Sequence, residues 1–198
     1  MAIIVDKDEK RNNIALACKN LVINASIKDI TISQIAQVAH IAKGSFYDYF
    51  DDKEDLLFHI VTILMDEYNK KTEIKLNNAK NIKEQLKLFA EFFYSDEDIQ
   101  LREIYKKFIS IALINENNKM KHFQTQCYDK YKNWLEQIIN EAIIKGELKP
   151  EVLSLVNGLF STAKGLYIIH ETTNSLDSLQ NEINNYIDMI YQLTKVEK

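Results

Sequence analysis

A short stretch around residue 45 carries side chains suited to binding a nucleic acid. Lys43, Gly44, Ser45, Tyr47 and Tyr49 lie close together in the chain. Gly44 has no side chain and permits close approach to a duplex, while backbone amides at a helix N-terminus can meet phosphate. Lys43 adds a cation. The two tyrosines lie two positions apart and so on different faces of a helix, which suits one to phosphate and the other to a base edge or methyl group.

The same sequence shows none of the common catalytic or metal-binding patterns. It contains no HExxH, GxSxG, P-loop or Glu-x-x-His motif. Cys18 and Cys127 stand alone, which predicts neither a disulfide framework nor a zinc site. His122 and His170 are likewise isolated. We therefore expect no enzyme activity, no metal and no cofactor, although an all-helical enzyme is the first competing hypothesis.

The polar stretch follows two predicted helices. Apolar residues recur at every third or fourth position and predict a first helix over residues 8–24, with Cys18 as a small buried residue on its apolar face. Thr31 and Gln34 have the spacing of a capping box, which predicts a second helix ending near residue 40.

A third short helix is predicted over residues 43–49. Phe46 and Phe50 would lie on its inner face and serve packing alone, leaving the polar side chains outside. Two short helices around a tight turn make a helix-turn-helix candidate.

Composition favours an all-α protein. Hydrophobic residues make up 46% of the 198 residues, charged residues 27%, and only four Gly and one Pro are present, which is too few turn residues for a β-rich chain. After the first three helices, a longer one is predicted over residues 52–78. Five more give nine in total, at about 82–94, 96–114, 119–145, 150–172 and 176–195.

Charge and hydropathy restrict the partners. The net charge is −4, and residues 1–53 hold as many basic as acidic groups, so any nucleic-acid site must be local. The strongly apolar stretch Leu56–Met65 is too short to span a membrane, and the N-terminus lacks a signal peptide. We expect a cytoplasmic protein with no membrane partner.

The motif from Thr31 to Leu57 resembles the DNA-binding signature of the tetracycline-repressor (TetR) family. The most specific part is Lys-Gly-Ser-aromatic-Tyr-x-Tyr-Phe-x-x-Lys-Glu-x-Leu, beginning at Lys43. The resemblance implies a helix-turn-helix DNA-binding domain over residues 1–53 and a ligand-binding and dimerisation domain over residues 54–198. It implies DNA contacts by eight residues: Thr31, Ser33, Lys43, Gly44, Ser45, Tyr47, Tyr49 and Lys53. Thr31 could instead act only as a helix cap, and Lys53 could be an ordinary solvated lysine.

Departures from the family pattern affect the expected binding. His40, Ile41 and Ala42 stand where the turn usually reads Gly-Val-Ser, and Ser26 replaces a usual Gly. Three aspartates put negative charge near the site: Asp48, Asp51 and Asp52. We expect modest, salt-sensitive affinity. Because no Arg lies between residues 11 and 102, the operator should lean towards A·T pairs.

The last two helices are candidates for a dimer interface. They combine a small-residue face with an apolar stripe: Gly158, Ser161, Thr162, Gly165, Ile183, Ile187 and Ile190. The alternative is that these residues form intramolecular core. A recognition helix reads few base pairs, so a two-fold dimer on a palindrome is the usual solution.

The family resemblance also implies a small-molecule pocket among the middle helices. The candidates are mainly aromatic: Phe89, Phe93, Phe108, Phe123, Tyr131, Trp134, Tyr167 and His170. Helical spacing does not separate pocket from core, so plain core packing is the alternative for each aromatic.

The sequence thus predicts a homodimeric repressor that binds a palindromic operator on double-stranded DNA and is released by a small, largely apolar effector. The helix over residues 52–78 would link the two functions. The second competing hypothesis is a helical interaction protein whose helix-turn-helix has drifted and no longer binds DNA.

Overall fold

A computed structural model describes residues 6–25, 28–114 and 118–197, and this part of the chain is helical. It contains eight α-helices: α1 Lys7–Asn24, α2 Ile32–Val38, α3 Lys53–Asn77, α4 Ile82–Ala90, α5 Ile99–Ile114, α6 Asn118–Ile144, α7 Val156–Thr172 and α8 Leu179–Thr194. Four short 3₁₀ helices complete it: Gly44–Asp48, Glu91–Phe93, Asp96–Asp98 and Pro150–Leu155. The predicted all-α class is confirmed.

One of the nine predicted helices differs in kind. The third, expected over residues 43–49, is the 3₁₀ helix Gly44–Asp48, so the described residues hold eight α-helices and not nine. No side chain caps its start at Lys43, and a segment this short gains little from α-helical hydrogen bonds. We refer to Gly44–Asp48 as the recognition helix.

The chain divides into two compact units. The first unit comprises residues 1–69 and 99–117, and the second comprises residues 70–98 and 118–198. Helix α3 begins in the first unit and ends in the second, while α5 belongs to the first although the segments on either side of it belong to the second. The predicted functional division into residues 1–53 and 54–198 stays a prediction.

The core of the first unit joins α1, α2 and the recognition helix. Cys18 is fully buried, with its Sγ atom 3.8 Å from the carbonyl oxygen of Ile35, and burial raises the pKa of the thiol to about 11. The Phe46 and Phe50 side chains are also buried, with ring centroids 5.5 Å apart. The predictions that Cys18 is a buried hydrophobe and that both phenylalanines serve packing are confirmed.

The second unit is a bundle in which α4 packs against α6 and α8, and α7 packs against α6 and α8. Gly146 ends the turn after α6 in the left-handed region, at φ +70°, where glycine carries no steric cost. The Lys87 ammonium donates to the Asp188 carboxylate at 2.8 Å and ties α4 to α8.

One described stretch, Pro150–Thr172, is long and apolar enough to cross a membrane by length and composition alone. The prediction of no membrane span rested on the shorter stretch Leu56–Met65 and did not include this one. A single such helix is weak evidence, because a helix in the interior of a helical bundle can have the same composition. Here it includes α7, which packs against α6 and α8.

Candidate nucleic-acid interface

Helix α2 begins with the predicted capping box. The Thr31 hydroxyl accepts from the Gln34 backbone N–H at 3.3 Å, and the Gln34 side-chain oxygen accepts from the Thr31 backbone N–H at 2.9 Å. The capping role predicted for Thr31 is confirmed. The Thr31 and Ser33 side chains are exposed, so the first turn of α2 presents two hydroxyl groups at a helix N-terminus.

The turn after α2 places His40 in the left-handed region. Its φ is +54°, and it is the one non-glycine residue at positive φ among those the structure describes. The Ile41 N–H donates to the Ala36 carbonyl oxygen at 3.0 Å and closes the turn. The turn therefore keeps the geometry that glycine favours, with a histidine that has to bear its steric cost.

The recognition helix is anchored by its phenylalanines and presents its polar groups outward. Phe46 is fully buried, whereas 59% of the Tyr47 surface is exposed. Lys43 and Gly44 are exposed, and Tyr49 is half-buried. This confirms the predicted inward face and shows that the two tyrosines have different environments.

Ser45 and Gly44 complete the outward part of this segment. Ser45 is half-buried, and its N–H donates to the Ala42 carbonyl oxygen at 3.0 Å. A Cβ atom added at Gly44 would meet nothing within 4 Å. The protein's own packing therefore does not require glycine at position 44, so any requirement for it comes from a molecule that approaches from outside.

Lys53 has an internal role that the sequence analysis did not foresee. Its Nζ donates to the carbonyl oxygens of Lys28, at 3.0 Å, and Ile30, at 3.1 Å, in the segment just before α2. It is therefore not an ordinary solvated lysine. Its predicted contact with DNA stays a prediction, beside this observed role in holding the start of α2.

Some of the nearby carboxylates form hydrogen bonds or ion pairs within the first unit. The Asp52 carboxylate accepts from the Asp55 N–H at 2.9 Å and caps α3, and the Asp55 carboxylate pairs with Arg11 at 2.8 Å. The Arg11 guanidinium also lies over the Phe50 ring, 5.0 Å from its centroid. Asp48 and Asp51 are exposed and leave negative charge beside the recognition helix.

The predicted pocket residues fall into separate groups. Phe89, Tyr131 and Trp134 form a half-buried aromatic cluster in the second unit, with the Phe89 and Trp134 centroids 5.5 Å apart. Phe93 and Tyr167 are buried against each other at 5.7 Å.

The remaining three predicted pocket residues lie elsewhere. Phe108 belongs to the first unit, where it is buried and packs on Phe58. Its predicted role in a pocket stays a prediction. Phe123 is half-buried on α6, and His170 is exposed near the end of α7.

Lys164 lies on α7 among aromatic rings of the second unit. Its Nζ is 4.8 Å from the Phe160 ring centroid and 5.4 Å from that of Tyr128. Burial lowers the pKa of Lys164, while the nearby Cys127 thiol acts in the opposite direction. Lys164 was not among the predicted site residues, because nothing local in the sequence shows that a lysine on α7 meets an aromatic ring on α6.

The residues predicted to form the dimer interface differ in how deeply the single chain buries them. Ile183, Ile187 and Ile190 are buried within the single chain, so we correct their assignment from interface to core. They lie on the inner face of α8, where an apolar stripe meets the other helices of the bundle. Gly158 and Ser161 are exposed, and Thr162 and Gly165 are half-buried. The outer face of α8 instead exposes Met189 and Leu193.

Comparisons with known proteins agree with this arrangement. Residues 20–60 match the family model described as bacterial regulatory proteins, tetR family. The chain is 25% identical over 186 residues to the uncharacterized HTH-type transcriptional regulator YvdT of Bacillus subtilis, covering 90% of this chain and 93% of that protein. It is 22% identical to the fatty acid metabolism regulator protein of the same organism, covering 77% and 80%.

Solved structures show the same fold. A TetR-family regulator from Cytophaga hutchinsonii superposes with a TM-score of 0.80 at 14% identity, covering 99% of this chain and all of that one. The regulator FadR from Bacillus subtilis, in complex with stearoyl-CoA, superposes with a TM-score of 0.70 at 22% identity, covering 90% and 96%. The helix-turn-helix region therefore matches the tetR family of bacterial regulatory proteins in sequence, and the chain has the fold of solved TetR-family regulators over nearly its whole length.

Proposed function

We propose that this regulator is a cytoplasmic, homodimeric repressor that binds a palindromic operator and is released by a small effector molecule. The observation that carries the proposal is the recognition helix. Gly44 and Tyr47 of this helix and Lys43 just before it are exposed, while Phe46 is buried. Because the buried side chain fixes the backbone, the exposed side chains are held in one arrangement in which they can contact phosphates and the edges of DNA bases.

The limited size of this surface supports a dimer. A recognition helix of five residues contacts few base pairs, and two copies related by a two-fold axis would double the length of DNA that is read. The outer surface of the helices α7 and α8 supports this assembly. It combines small residues such as Gly158 and Ser161 with Leu193, which is 67% exposed.

The second unit supports an effector with an apolar body and an anionic group. The half-buried cluster of Phe89, Tyr131 and Trp134 offers aromatic surface, and the Lys164 ammonium offers a cation set among rings. The relative that regulates fatty acid metabolism and the FadR structure with stearoyl-CoA both support this chemistry. A long-chain acyl thioester of coenzyme A has an apolar chain and anionic phosphates.

Helix α3 provides a covalent route between the two functions, because its first part belongs to the first unit and its last part to the second. Within the second unit, the Lys75 ammonium near the end of α3 is bound by the Glu91 carboxylate at 2.8 Å and the Glu97 carboxylate at 3.3 Å. An effector releases the protein from DNA only if it binds more tightly to a conformation that fits the operator poorly.

Fluorescence anisotropy with DNA flanking the gene, at two salt concentrations, tests the proposal. We expect sequence-preferring binding that weakens as salt rises, because phosphate contacts release counterions. Changing Lys43→Ala together with Tyr47→Ala should weaken binding by at least about a hundredfold. Lys145→Ala, on an exposed residue of the second unit, is the control and should bind as the unchanged protein does. Equal binding by the double variant would contradict the assigned site, and no sequence preference at low salt would favour the drifted interaction protein.

A further inference from the structure

The C-terminal end of α1 is held by a lysine from a distant part of the chain. The last carbonyl groups of a helix have no partner within it, and α1 has no basic residue in its last turn. The Lys107 ammonium on α5 donates to the carbonyl oxygens of Val22, at 2.9 Å, and Ala25, at 2.8 Å, and also to that of Ile23. One side chain therefore satisfies three carbonyl groups at the end of α1.

Lys107 fits this position in charge and in geometry. An ammonium group has three N–H donors, and here each has a carbonyl acceptor. A cation at a helix C-terminus is also favoured by the helix dipole. The surrounding protein partly buries the group, and burial lowers its pKa, with the Glu103 carboxylate acting in the opposite direction.

A second lysine holds the far end of the same connection. The Lys53 ammonium, carried by α3, donates to the carbonyl oxygens of Lys28 and Ile30. Thr31, the N-cap of α2, follows immediately. The described residues on the two sides of the connection are therefore each held by a lysine, residues 22–25 by Lys107 and residues 28–30 by Lys53.

This connection sets where α2 begins. The capping box at Thr31 and the exposed Ser33 belong to the first turn of α2, and α1 packs against both α2 and α5. A shift of the α1 end would displace the first turn of α2 and, through it, the turn that leads to the recognition helix. Residues 70–98, before α5, and residues from 118 onwards belong to the second unit, so the residue that fixes α1 lies on a helix between two stretches of that unit in the sequence.

We propose that Lys107 is a positioning residue for DNA recognition, holding the end of α1 and hence the start of α2 in the arrangement that fits the operator. The inference rests on the proposed DNA-binding function for its consequence, whereas the positioning itself has a readout that needs no DNA. Lys107 does not touch DNA in this proposal; it acts through the backbone of residues 22–25.

Three variants of the full-length protein test this. Lys107→Met removes the ammonium and keeps an unbranched side chain, and Lys107→Arg restores N–H donors. Lys106→Met is the matched control, because the Lys106 ammonium on the same helix pairs with Glu103 at 2.6 Å. Each is measured for affinity to a DNA fragment that the unchanged protein binds, for thermal unfolding midpoint, and for hydrogen exchange at the Ala25 and Gln34 amides. These amides report the end of α1 and the capping box of α2.

We expect Lys107→Met to weaken DNA binding about tenfold at temperatures well below unfolding, and to speed exchange at Ala25 and Gln34 selectively. Lys107→Arg should restore most of the DNA affinity and most of the protection from exchange. Lys106→Met should change neither the affinity nor the exchange rates by more than about twofold. Unchanged affinity and exchange in Lys107→Met would overturn the proposal. Exchange that rises equally in both units would also overturn it, because that result shows a general stabilising role. If the unchanged protein binds no DNA, the proposed function fails, and the exchange measurement decides the positioning role alone.

Discussion

The first and second units hold their candidate functional side chains in different ways. Around the recognition helix, exposed Tyr47 directly follows fully buried Phe46, and exposed Lys43 lies three positions before it, so framework and reading surface are distinct residues. In the second unit, Phe89, Tyr131 and Trp134 are half-buried and contact one another, so the same rings serve packing and any effector. The residues of the proposed DNA-reading surface can thus be altered with little effect on the core, whereas those of the proposed effector site cannot.

The largest effect is expected where the framework of the first unit is removed. Phe46→Ala should lower the free energy of unfolding by about 3–5 kcal/mol, because it leaves a cavity at a fully buried site. Tyr47→Ala, one position away, should change it by less than about 0.5 kcal/mol, because most of that side chain is exposed. Urea denaturation of both variants measures this. Similar losses in the two variants would break the distinction between framework and reading surface.

A smaller effect, on effector binding, is expected when the Lys164 ammonium of the second unit is removed. Trp134 is the chain's single tryptophan and contacts Phe89, so its fluorescence should change when stearoyl-CoA is titrated into the protein. Lys164→Met should weaken that binding about tenfold if the ammonium meets an anionic group of the ligand. Lys145→Met, on an exposed lysine of the same unit, is the control. An unchanged fluorescence signal, or equal affinity for both variants, would contradict the proposed effector chemistry.

A substitution in the turn between α2 and the recognition helix should change the free energy of unfolding by about 0.5–1 kcal/mol. His40→Gly should stabilise the protein by roughly that amount, because glycine removes the cost of positive φ and more than offsets the added freedom of the unfolded chain. The thermal unfolding midpoint measures this, with His122→Gly as a control that should be destabilising because His122 lies within α6. A lower midpoint for His40→Gly would show that the histidine side chain makes a stabilising contribution there.

The smallest expected effect is a pH dependence in the first unit. The His59 ring nitrogen lies 2.7 Å from the Asn12 side-chain oxygen, and burial, followed by the Arg11 charge, lowers the pKa of His59 below 6.5. Since the unfolded chain then binds the proton more readily, stability should fall as the pH drops through about 6.5. Urea midpoints between pH 7.5 and 5.5 measure this, and His59→Gln should reduce the slope. An unchanged slope in that variant would assign the pH dependence to other groups.

Local sequence patterns predicted the first unit well. The Thr31 capping box and the inward Phe46 depend on residues within a few positions of one another. The 3₁₀ form of the recognition helix was not predicted, because the side-chain pattern of so short a segment does not separate it from an α-helix.

Long-range pairings limited the predictions elsewhere. Lys107 meets carbonyl groups more than 80 positions away, and Lys53 reaches back to Lys28 and Ile30. Nothing in the local sequence distinguishes either side chain from a solvated lysine. For the same reason the stripe containing Ile187 predicted an interface when the structure buries it in the bundle, since periodicity identifies an apolar face without showing what covers it.

Selection of bound DNA from a random pool tests the central claim most directly, because it reports binding, symmetry and base preference together. Our account predicts enrichment of a two-fold symmetric, A·T-leaning sequence by the unchanged protein, with loss of the enrichment in the variant that combines Lys43→Ala and Tyr47→Ala. No enriched sequence would contradict DNA recognition by this helix-turn-helix. Enrichment of the same sequence by the double variant would place the recognition surface elsewhere on the protein.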